Sequence, residues 1–220
     1  MINDCIEITD IFRDGYEIAD IEANLKLIKN SNSIILKKIS SKNIVNSYRY
    51  LSNELRTQNP ITDEYRKVFQ TGFKVISWDK GYSTKFFDYL EANKNSGKNI
   101  QQIFDDWYPN YTNTTKTNFS EIAKLSHFIS GGETPLYDST IRDFFMLKDL
   151  GNNVPNRDKL FFEQLKFVQC VYNKIENESK ANSKSVYNFS KIINKFRIHF
   201  YVQPHEYSDI KIIDTLIWNK

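Results

Sequence analysis

Hydrophobic positions recur three and four residues apart along most of this chain, the spacing that lines one face of an α-helix. Ile18, Ile21, Leu25 and Ile28 form one such stripe, and Ile44, Tyr48, Leu51 and Leu55 form a second. Pro60 followed by Thr62, Asp63 and Glu64 opens a helix running toward Val75, so the N-terminal third reads as a helical cluster. Ile34-Ile35-Leu36 is too short for its period to decide between a strand and a buried helical turn.

Farther along, Ser83-Thr84 is placed to cap a helix carrying Phe86, Phe87, Tyr89 and Leu90. Ile100 to Tyr108 predicts a short aromatic helix stopped by Pro109, and a polar connector, Asn110 to Asn118, follows. Phe119 to Ile129 is an apolar helix, Asp138 to Leu150 its partner, and Gly151 to Pro155 ends the pair. The longest helix carries Phe161, Leu165, Val168, Tyr172 and Ile175 in one unbroken core stripe. Val186 to Ile198 and Ile210 to Trp218 supply two more helical stretches around a loop with Pro204, although Ile198 to Val202 also suits a strand. The pattern predicts an all-α fold: one domain over 1–220, dividing into two helical lobes of about 1–109 and 110–220 with a cleft between them, and a helix-turn-helix pair in the second.

At 220 residues such a chain buries a real core without a disulfide framework. Cys5 and Cys170 are the only cysteines and stand far apart, which suits separate, inert thiols in a reducing cytosol. No run approaches a membrane span, and Met1-Ile2-Asn3-Asp4-Cys5 is acidic where a secretory leader is basic, so the expectation is a cytoplasmic protein with no membrane partner. The net charge of +3 permits a polyanionic partner without demanding one. Lys174 through Arg197 suit either a one-sided basic face or an ordinary solvated surface.

Several chemistries drop out. His127, His199 and His205 are widely spaced and lack partners at ligand spacing, which leaves no predicted metal site. No Gly-rich loop precedes a Lys-Ser/Thr pair, no serine sits in a nucleophile elbow, and no cofactor is implied. What remains is the segment from Lys124 to Arg142, an apolar helix broken at Gly131-Gly132, a turn set by Pro135, and a helix opened by Asp138. A carboxylate there faces the positive end of its helix and stays ionised. Asp138 reads either as a plain N-cap or as a catalytic group.

This helix, turn and aspartate, in an aromatic-rich, mildly basic all-α chain, resembles the helix-hairpin-helix superfamily of DNA glycosylases over about residues 110 to 145. In that family a Val-Asp-Thr-His-like segment with a following arginine carries the catalytic aspartate, and Pro135-Leu136-Tyr137-Asp138-Ser139-Thr140-Ile141-Arg142 occupies the comparable place. The resemblance implies a monofunctional base-excision enzyme acting on duplex DNA with a flipped base, in which Asp138 stabilises the cationic sugar or positions water. The family's hairpin is glycine-rich, whereas Thr114-Thr115-Lys116-Thr117-Asn118 has no glycine. Ser120 stands where strand-cleaving members carry lysine, which implies no lyase activity.

On the same resemblance Tyr137, Trp107 and Tyr108 would contact the extruded base, against core packing as the alternative. Lys116, Lys124, His127 and Arg142 would meet the DNA backbone, with Arg142 equally suited to pair with Asp138. Asp214 and Trp218 share a face that docks the last helix. The rival is a non-catalytic helical module of DNA or protein binding, such as those of antiviral or mobile-element systems, with Asp138 only a cap. An enzyme requires Asp138 at the mouth of a concave, aromatic-lined pocket between lobes; the module does not.

Overall fold

In the computed structural model the chain is all-α, and the described residues are 2–7, 9–40, 43–57, 59–75, 78–111, 119–151, 154–180 and 189–220. Ten α-helices follow one another among these residues: α1 (Ile18–Ser40), α2 (Ile44–Arg56), α3 (Asp63–Gly72), α4 (Lys80–Asn93) and α5 (Ile100–Tyr111), then α6 (Phe119–Ile129), α7 (Ser139–Phe144), α8 (Arg157–Lys180), α9 (Phe189–Phe200) and α10 (Asp209–Trp218). Two short 3₁₀ turns, Asn3–Cys5 and Thr9–Ile11, precede α1.

Local chemistry explains where several helices begin. Thr62 Oγ1 accepts from Tyr65 N at 3.1 Å, and Asp63 and Glu64 fill the first turn of α3. Ser208 does the same for α10, accepting from Lys211 N at 3.2 Å. The fourth helix starts earlier than Ser83-Thr84 predict: Asp79 Oδ1 accepts from Tyr82 N at 2.8 Å, which places Ser83 a turn inside.

Tertiary context settles the ambiguous stretches. Ile34-Ile35-Leu36 lies within α1, where Ile35 and Leu36 are buried, and α9 runs on to Phe200 rather than extending as a strand. Pro109 sits in the final turn of α5, where a missing N–H costs one bond near a helix end and the helix continues to Tyr111. The helix opened by Asp138 is the main departure from the expected bounds. It ends at Phe144, not Leu150, because the next residues pair with the N-terminal segment. Phe12 and Leu147 form an antiparallel bridge, Arg13 N bonds Met146 O at 2.9 Å, and Lys148 N bonds Ile11 O at 3.0 Å.

The first helix packs on α2, α9 and α10, the last helix also meets α7, α8 and α9, and both 3₁₀ turns lie on α8. The second helix also packs on α3, and α4 and α5 pack on α6. Most of α6 is enclosed, with Phe119 and every residue from Ile122 to Ile129 buried. Its Phe128 meets Phe69 of α3, and its Phe119 stacks on Phe161 of α8 at 4.6 Å between centroids.

The same closure brings together the cysteines, expected as separate thiols. Cys5 and Cys170, 165 residues apart in sequence, are joined in a disulfide because the first 3₁₀ turn lies against α8. No helix among the described residues is long and apolar enough to cross a membrane.

Candidate active site

Asp138 stands where the loop after α6 enters α7. It caps that helix through Oδ1, which accepts from Ile141 N at 3.0 Å. Among the described residues no other hydrogen bond engages the carboxylate, and Asp138 lines a cavity of about 860 Å³ walled by α2 and α3 on one side and by α7 and α10 on the other. That volume falls within the range of small-molecule sites. One wall comes from α2 and α3, with Tyr48, Leu51, Val68 and Phe73; the other comes from α7 and α10, with Asp138, Thr140, Lys211, Thr215 and Trp218.

The last helix places its share by periodicity. Lys211, Thr215 and Trp218 are four and three residues apart and present one face to the cavity. Asp214 points elsewhere, its Oδ2 accepting from Leu136 N at 3.1 Å and its Oδ1 from the Tyr172 hydroxyl at 2.8 Å. Asp214 therefore ties α10 to α8 and to the turn that delivers Asp138. Burial raises its pKa.

Lys211 is the unusual group in this wall. The residue is only 3% exposed, yet its ammonium has no hydrogen bond or ion pair among the described residues. It lies 4.8 Å from the ring centroid of Tyr48, 5.2 Å from Trp218 and 5.6 Å from Phe73. Loss of hydration lowers its pKa, against the opposing pull of Asp214 and Asp138. Lys67 and Lys74 also line the cavity, with Asp63 and Glu64 contributing negative charge.

Behind the wall, Tyr48 donates to His127 Nε2 at 2.9 Å, and His127 Nδ1 donates to Thr134 O at 2.6 Å. His127 is fully buried, and desolvation with the nearby Lys211 charge pushes its pKa down to about 3, so it is neutral. Gly132, at φ +94°, closes this corner: a Cβ there would stand 3.0 Å from the Tyr48 hydroxyl and 3.2 Å from Ser208 Oγ.

The other sequence-predicted residues are dispersed. Trp107 is buried against Tyr82, Phe86 and Tyr89, well inside the α4–α5 packing, and does not line the cavity. Tyr108 stacks on Phe104 at 4.8 Å, with the Arg157 guanidinium against its hydroxyl. Tyr137 is 2% exposed, its hydroxyl donates to Gln164 Oε1, and it does not line the cavity. Lys124 is buried, donating to Ser120 Oγ at 2.5 Å, in a helix whose residues from Ile122 to Ile129 are all buried. His127 is fully buried in the same helix, away from any contact with a DNA backbone. Arg142 pairs with Asp149 at 3.2 Å and not with Asp138, whose carboxylate folds over the helix start to cap it. Lys116 lies outside the described residues.

Tyr48, Phe73, Lys211 and Trp218 were not singled out as site residues by sequence. The accessible signal was Lys211 itself, a lone charge inside Ile210-Lys211-Ile212-Ile213 and in register with Trp218. Among the described residues no group of three His, Cys, Asp or Glu side chains is placed to hold a metal ion. No protein-family model matches the chain, and no characterised protein or solved structure matches it.

Proposed function

We propose that the cleft excises a base from DNA, with Asp138 as the catalytic carboxylate. The observation that carries this reading is the placement of Asp138 on a concave, aromatic-walled cavity of about 860 Å³ between the wall of α2 and α3 and the wall of α7 and α10. A cap on a convex surface would not need such a cavity. The local sequence resemblance around Asp138 supplies the reaction class.

In the reaction the C1′–N bond of a flipped nucleotide breaks, the bonding pair leaves with the base, and positive charge develops on the sugar ring. A fixed carboxylate stabilises that charge more than the neutral ground state, which is the condition for lowering a barrier. Water then adds its oxygen to C1′, and its proton passes to the departing base or to Asp138. Tyr48, Phe73 and Trp218 offer the apolar ring surface that compensates a base for lost stacking. They take the place in this reading that Trp107, Tyr108 and Tyr137 held on sequence alone.

The test is base release from duplexes carrying damaged or naturally modified bases, with alkali to reveal abasic sites. The parent chain is expected to release at least one base, and Asp138→Asn to release none while keeping its fold, since asparagine caps helices well. No release from any duplex, with no DNA binding at low salt, would leave Asp138 as a cap and favour the non-catalytic module.

A further inference from the structure

We infer that Lys211 is an imine-forming amine, and that the cleft takes a ligand bearing an aldehyde, which Nζ engages covalently. The inference stands on the placement of Lys211 and does not require that the chain release bases.

Three observations converge on this lysine. It lines the large cavity although nearly all of its surface is buried, so its amine is presented to a ligand and not to bulk water. It has no hydrogen-bond or ion-pair partner among the described residues, whereas Lys124, also buried, is bonded to Ser120. Tyr48, Phe73 and Trp218 surround it within 5.6 Å of their centroids, an apolar setting that strips the amine of water. A lysine desolvated in this way holds more of its amine unprotonated than an exposed one, and the unprotonated lone pair is the nucleophile. The direction of its pKa agrees: burial lowers it and the Lys124 charge lowers it further, while Asp214 and Asp138 oppose.

The step balances without a cofactor. The Nζ lone pair adds to the carbonyl carbon, the C=O π pair moves to oxygen, and a proton passes from nitrogen to that oxygen. The carbinolamine then loses water, so that amine and aldehyde become imine and water. An aldehyde reaches this cleft from one of two sources, the ring-opened sugar of an abasic site in DNA or a free sugar phosphate, and the chemistry at Nζ is the same. The sequence resemblance implies no such residue, since Ser120 occupies the position from which lysine would act; here the amine comes from α10.

The test is reductive trapping on the full chain. The protein is incubated with a duplex containing a preformed abasic site, or with free deoxyribose phosphate, then reduced with cyanoborohydride and mapped by peptide mass spectrometry. Modification is expected to concentrate at Lys211 over the exposed Lys191, and to vanish from that peptide in Lys211→Arg, which keeps the charge but forms no imine. Trapping by the duplex alone assigns the aldehyde to DNA, and trapping by the free sugar alone assigns it to a small molecule. Modification of Lys211 no greater than that of Lys191 in both arms would overturn the inference. Because mapping locates the adduct in the parent chain, the result stands even if Lys211→Arg fails to fold. A chain that releases no base yet traps an aldehyde at Lys211 would uphold this inference and sink base excision.

Discussion

The Tyr48 hydroxyl donates to His127 Nε2 at 2.9 Å, so one side chain both walls the cleft and holds His127, whose ring bonds Thr134 O in the loop that leads to Asp138. Tyr48→Phe keeps the ring and removes the donor, leaving His127 Nε2 without that partner. The expected cost is about 1–3 kcal/mol, the usual penalty for stranding a buried polar atom. Urea unfolding of the two proteins measures it, and equal midpoints would show that the bond contributes nothing.

His127 makes stability fall in acid. Its folded pKa is depressed to about 3 from the ordinary value of 6.5, so below pH 6.5 the unfolded chain takes up a proton that the folded chain refuses. The contribution of His127 is therefore lost as pH drops from about 6.5 toward 3, by roughly 5 kcal/mol over the whole window, while the raised pKa of Asp214 acts in the opposite sense. Urea melts at a series of pH values are expected to show a shallower slope for His127→Gln than for the parent. Parallel slopes would contradict the assignment.

The two adjacent glycines after α6 predict different costs. Both have positive φ, +68° at Gly131 and +94° at Gly132. An added Cβ at Gly131 meets nothing within 4 Å, so Gly131→Ala is expected to lose only the conformational cost, about 1 kcal/mol. Gly132→Ala adds contacts with Tyr48 and Ser208 and is expected to lose about 2–4 kcal/mol. Thermal melts that rank the two variants the other way would refute this account of the corner.

The disulfide is expected to matter to stability. Closing a 165-residue separation restricts the unfolded chain strongly. Reduction, or Cys5→Ser, is expected to cost about 3–5 kcal/mol. Thiol alkylation reports whether the bond is present, and unchanged urea midpoints before and after reduction would contradict the expectation.

Much of the fold was legible because helical periodicity is a local signal. The stripe Phe161, Leu165, Val168, Tyr172 and Ile175 is buried along α8 as its spacing predicts. The end of α7 was not legible, because Phe12 lies far from Leu147 in sequence and only the fold pairs them. Asp138 stood out through its turn, whereas most of the rest of its cavity comes from α2, α3 and α10, whose convergence no local pattern encodes. Trp107 and Tyr137 illustrate the converse: an aromatic near a promising motif is more often core than site when packing supplies so many partners.

The central claim is that Asp138 faces developing positive charge, and binding to a charged sugar mimic tests it most directly. The dissociation constant is measured for a duplex with a cationic pyrrolidine in place of one sugar and for the same duplex with neutral tetrahydrofuran there. The parent chain is expected to favour the cationic duplex by about tenfold or more, and Asp138→Asn to lose that preference while still binding the neutral duplex. Equal affinity of the parent for both duplexes, or a preference that survives in Asp138→Asn, would contradict the account.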